Sequence, residues 1–131
     1  MERFRILLMI SVVMATSYGI GLVVWPKSLM LLYGIQLEPG GILLAQMLGA
    51  YLFGYATISW HARHAKDARL LYGIIIADFI ADAGALLAAL YGMYTHTLNA
   101  MGWEIVVING LFSLAFGYFL FNPPLPLHAD S

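Results

Sequence analysis

The stretch ADFIADAG, residues 77–84, puts Asp78 and Asp82 four positions apart in otherwise apolar surroundings. On a helix that spacing stacks two carboxyls on one face, a turn apart. A carboxylate at the centre of a bilayer costs roughly 2.5–3.5 kcal/mol on insertion scales, so acids at that depth mark sites and pathways by default. Two of them at close range in a low dielectric repel, and the pair is expected to share a proton. Such a pair suits a proton relay, an acid working with its base, or a cation site. The competing use is structural, with both carboxyls bonded to polar groups of neighbouring helices. Thr16, Ser17, Gln46, Thr57, Asn109 and Ser113 are the candidates for that role.

Other residues extend the candidate site. Glu104 follows Trp103 at the start of the last apolar run, where the helix dipole favours a negative charge. The same position would let Glu104 join Asp82 at the mouth of a pocket. Glu38 precedes a turn and reads as a solvated loop residue or a group near that mouth. Tyr51 and Tyr55 share a helix face and, with the methionines, suit a pocket for a flat lipophilic ligand. Gln46, Asn109 and Trp103 complete the set of binding candidates. His61 and His64, with Asp67 nearby, have metal-ligand spacing, but Arg63, Lys66 and Arg69 around them oppose a cation, so no metal is expected. His96 and His128 fall in a loop and in the tail. Haem is therefore not expected, and no cofactor is implied. There is no cysteine, and no nucleophile elbow, phosphate loop or dinucleotide fingerprint occurs.

The elements that must carry these residues follow from composition. Of the 131 residues, 62% are hydrophobic and 10% charged, against about 45–50% and about 25% in soluble domains. That balance, with runs near the length of a span, indicates a polytopic membrane protein whose solvent is lipid. The net charge of −1 gives no support to nucleic-acid binding. The spacing predicts an all-α, four-transmembrane-helix antiparallel bundle forming a single domain over 1–131. Its spans are expected at about 4–25, 42–60, 69–94 and 103–121, with an extended, proline-rich tail over 122–131. The first run resembles a leader peptide at its start but continues far enough to cross the membrane. Between the first two spans, KSLMLLY after Pro26 predicts a short amphipathic helix ended at Gly34, lying in the headgroup layer or over the bundle.

Arg3, Arg5, Arg63, Lys66 and Arg69 lie on one side of this topology and Lys27 on the other. The positive-inside rule then puts both termini, and the loop between the second and third spans, on the cytoplasmic side. Gly73, Ala77, Ala81, Ala85 and Ala89 recur every fourth residue and are expected to let another helix approach closely. The second span, with Ala45 and Gly49 and then Ala50 and Gly54, offers a matching surface.

The order of these features resembles the small four-helix bacterial inner-membrane proteins grouped as DoxX-like. It rests on the proline after the first span in GLVVWPKSLMLLYGI and on LLAQMLGAYLFGYATISWHAR, where a glycine–alanine step, Gly49-Ala50, precedes a basic loop. An arginine would be expected just before that step, and this chain carries Gln46. The resemblance implies the bundle and assigns no activity.

Two functional expectations result. The first is a membrane-embedded enzyme that isomerises, cyclises or opens an epoxide in a lipophilic small molecule, with Asp78 and Asp82 as acid and base and Glu104 or Glu38 near the mouth. The second is a non-enzymatic component, either an accessory subunit of a membrane complex or a small oligomeric proton-coupled carrier. Membrane lipid is a partner in both.

Overall fold

Pro26 and Pro39 each occupy the first turn of a helix, where a missing N–H leaves no hydrogen bond unmade. They divide one end of the molecule into a short helix and the start of a long one. The computed structural model describes residues 1–126 and is all-α: α1 (Glu2–Val24), α2 (Pro26–Leu32), α3 (Pro39–Ala62), α4 (Ala68–Tyr94) and α5 (Gly102–Phe121). Four of these, α1, α3, α4 and α5, are long and apolar enough to cross a membrane, and the protein is an integral membrane protein built as a four-helix bundle. The second span begins at Pro39, earlier than expected, because the proline is already shaped for a first helical turn. His128 lies outside the described residues.

Helix ends follow local chemistry. Asp67 accepts hydrogen bonds from the backbone N–H groups of Arg69 and Leu70, which start α4. Gly34, at φ +81°, ends α2: its own N–H bonds the Leu31 carbonyl, and the N–H of Ile35 bonds that of Met30. His96 does the same for α4 at φ 57°, an uncommon conformation for a residue with a side chain.

The bundle is two tight helix pairs, α1 with α3 and α4 with α5, while α3 and α4 touch little despite being consecutive. In the first pair the backbones meet at Gly19 and Gly49: a Cβ on Gly49 would lie 2.9 Å from the Gly19 carbonyl oxygen. Small residues at a crossing allow this approach, and without a hydrophobic force between helices in lipid, such close packing is what holds them. In the second pair Phe79, Leu86 and Met93, seven residues apart, pack against Gly117, Gly110 and Gly102 of the antiparallel partner. The Ala45–Gly49 surface is therefore used against α1 and not against α4. The row expected to receive a helix is mostly exposed at Gly73, Ala77, Ala81 and Ala85, and only Ala89 is buried.

All four long helices converge at the end that carries the arginines. Phe4, Leu7, Leu8, Ala62, Leu71, Ile75 and Phe116 form the buried core there, with the Phe4 and Phe119 rings edge to face at 5.2 Å. Leu125 folds back against the same core, so the tail is not wholly extended. Arg5 donates to the Arg63 carbonyl across this end. Between this core and the α2 end the two pairs stand apart around a cavity.

Candidate functional site

Because the pairs separate, a cavity of about 480 Å³ lies between them, with walls from all five helices. That volume is in the range of small-molecule sites. Met14, Leu22, Leu48, Leu52, Ile108 and Phe112 make most of its surface apolar. The polar groups on it are few: Ser11 and Tyr18 of α1, Tyr33 after α2, Tyr51 and Tyr55 of α3, Asp82 of α4 and Asn109 of α5.

The stacked aspartates face this interior. Asp82 lines the cavity, half-buried, whereas Asp78 is only 3% exposed and does not line it. In each, Oδ2 is buried without a hydrogen-bond partner among the described residues. The Tyr55 hydroxyl pairs with Ser11 Oγ at 2.9 Å and lies beside the Asp78 carboxyl. Four of the six residues expected to hold the aspartates structurally are engaged elsewhere. Ser17, Thr57 and Asn109 each donate to the carbonyl one turn back in their own helix. Gln46 reaches the Val23 carbonyl at 3.3 Å, away from the cavity, and Ser113 Oγ is buried without a partner. An unpaired buried polar atom is costly, which makes the aspartates unlike packing groups.

A second polar cluster closes the α2 end. Tyr18 donates to Glu104 Oε1 at 2.6 Å, the Tyr18 and Tyr33 hydroxyls are 3.0 Å apart, and Tyr33 approaches Glu104 Oε2 at 3.4 Å. Burial pushes the Tyr33 phenol above its ordinary range, and the Glu104 carboxylate adds to that push. Asn99 fastens the short helix from outside: its N–H bonds the Tyr33 carbonyl at 2.9 Å and its Nδ2 the Leu32 carbonyl at 3.0 Å. Glu104 thus meets the cavity through two of its lining tyrosines. Tyr18, Tyr33 and Asn99 are absent from the sequence-derived set, and their only signal there was residue type.

The remaining candidates separate from this centre. Glu38 is an exposed residue preceding α3 and makes no side-chain cap bond. Trp103, 53% exposed, instead lines a shallower depression of about 510 Å³ with Met93, Tyr94 and His96 at the end of α4. His61 turns Nδ1 to the Thr57 carbonyl, and His64 is exposed. No protein-family model matches the chain, and no curated protein or solved structure is significantly similar to it.

Proposed function

We propose that this protein binds a lipophilic small molecule within the membrane and transfers a proton to or from it. Asp82 is the group in contact with the ligand, and Asp78 and Tyr55 stand behind it as the proton's next stations. The supporting observation is the unpartnered Asp82 carboxyl oxygen on the wall of a largely apolar cavity. Isomerisation, cyclisation and epoxide opening are the reaction types that such a set can serve: a proton added at one atom of the ligand is balanced by one lost from another. When an epoxide's C–O bond breaks as its oxygen is protonated, a group of the same molecule or water bonds the carbon released. Asn109 and the Tyr51 ring orient the ligand. The clustered arginines and lysine at the core end support termini in the cytoplasm, and the DoxX-like order of features supports residence in a bacterial inner membrane.

The test compares membranes carrying the wild-type protein with membranes carrying Asp82→Asn. Lipophiles co-purifying with each protein in mild detergent are extracted and identified by mass spectrometry. The expected result is a retained compound whose isomeric or cyclised form appears only with the wild type. Identical extracts and identical membrane lipid profiles would end the proposal.

The exposed face of α4 favours a second reading. Gly73 and Gly84 have nothing near the space a Cβ would fill, so a helix of another chain would fit there. In that case the protein is an accessory subunit or an oligomeric carrier, and it would purify as an obligate complex.

A further inference from the structure

The cavity has five walls, and they are not closed equally. The core end is sealed by Phe4, Leu8, Leu71, Ile75 and Phe116. The α2 end is fastened by the Tyr18–Tyr33–Glu104 cluster and by Asn99. The Gly19–Gly49 contact closes the seam of the first helix pair, and the Phe79, Leu86 and Met93 row closes that of the second. Two seams between the pairs remain. The lining residues from α1, α2 and α5 are all buried or half-buried. Exposure is confined to α3 and α4, at Leu48 (52%), Tyr51 (71%), Ala81 and Ala85.

We infer that the cavity is loaded sideways from the lipid hydrocarbon, through a portal between α3 and α4 with Ala81 and Ala85 on one side and Leu48 and Tyr51 on the other. The inference rests on the binding reading above and specifies how the ligand arrives and what it is. All four portal residues lie within membrane-spanning helices, so the medium at the opening is acyl chain and not water. Small side chains on α4 keep the opening wide, which gives the exposed alanine row a use other than helix packing. The occupant is a membrane-dissolved lipophile with one hydrogen-bonding group. The tyrosine cluster at the far end is engaged with Glu104, which leaves the Asp82 carboxyl as the station without a partner. A bare hydrocarbon would leave it so, at a cost.

The test reads access and not chemistry. Trp25, Trp60 and Trp103 are replaced by phenylalanine, and Phe112→Trp, on the cavity wall, becomes the only indole. The protein is reconstituted in phosphatidylcholine with acyl chains brominated at mid-depth, and separately exposed to acrylamide in water. The bromines are expected to quench the indole and acrylamide to leave it bright. Adding Ala81→Leu with Ala85→Leu removes most of the bromine quenching, whereas Ala77→Leu, on the same row but off the cavity, leaves it intact. Quenching by acrylamide alone, by neither agent, or by bromines regardless of the double substitution would overturn the portal. An inert Asp82→Asn result with intact bromine quenching would defeat the proton chemistry and leave the portal standing.

Discussion

Tyr18 donates a 2.6 Å hydrogen bond to Glu104, joining α1 to the first turn of α5 across 86 positions of sequence. Because Tyr33 shares the same carboxylate, the bond also holds the short helix over the cavity. Hydrogen bonds to charged acceptors are worth about 1.5–3 kcal/mol when shielded, and this half-exposed one is discounted to about 1 kcal/mol. Tyr18→Phe and Glu104→Gln should each lower the melting temperature in detergent by a few degrees. The double variant should lose less than the sum of the two, since both remove the Tyr18–Glu104 bond while each also touches Tyr33. Fully additive losses would mean that the cluster is incidental.

A sharper cost is expected where helices touch backbone to backbone. Gly49→Leu places a side chain against the Gly19 carbonyl, which is backbone and cannot rotate away, and against Val23 and Leu22. Overpacking of this kind costs about 1–3 kcal/mol or more. Gly54→Leu, one and a half turns along the same helix, meets nothing within 4 Å and should be tolerated. Thermal unfolding of both variants in one detergent settles the contrast. Equal losses would show that glycine matters there for a reason other than proximity.

Tyr33 makes the α2 end sensitive to alkali. Its folded pKa is raised by burial, and further by Glu104. The stability it contributes is therefore whole below the unfolded value of about 10 and is lost as pH rises from there through the folded value. Tyrosinate absorbance near this end should appear only as the end loosens, at a pH above the ordinary phenol range. Tyr33→Phe should remove that part of the alkaline loss. A normal titration of Tyr33 without loosening would contradict the burial.

Much of this architecture was legible in the sequence, and the reason is the solvent. Lipid forces the backbone groups of a span to bond within it, so hydropathy and the positions of Pro26 and Gly34 placed the elements, with only the start of the second span, at Pro39, read too late. The inward turn of Asp78 and Asp82 followed from the same constraint. Which helices pair was not legible, because Ala45 and Gly49 on one helix and the alanine row on another look alike as small-residue patterns. Only coordinates show that Gly49 finds Gly19 while Ala81 and Ala85 find no helix. The Tyr18–Tyr33–Glu104 cluster was hidden for another reason: its members come from three helices with no shared spacing. Glu104 could be explained by the helix dipole alone until two phenols were seen on it.

The two functional readings separate most cleanly on what neutralising the aspartates does to the fold. If Asp78 and Asp82 held helices together, replacing either by the isosteric asparagine would disturb bonds in which they take part, and stability would fall by about 1–3 kcal/mol. Their Oδ2 atoms instead bond no described protein group, so an amide nitrogen at that place breaks no hydrogen bond and leaves the other oxygen to face its neighbours, the Tyr55 hydroxyl beside Asp78 included. Asp78→Asn and Asp82→Asn should therefore leave the unfolding midpoint in detergent unchanged or raised, the pattern of sites kept for function at a cost in stability. Asp78 gives the stricter test, because its carboxyl is buried and off the cavity wall, where a structural role would be strongest. A clear loss of stability in both variants would return the aspartates to packing and favour the accessory-subunit reading. Loss at Asp78 alone would confine the proton chemistry to Asp82 and Tyr55.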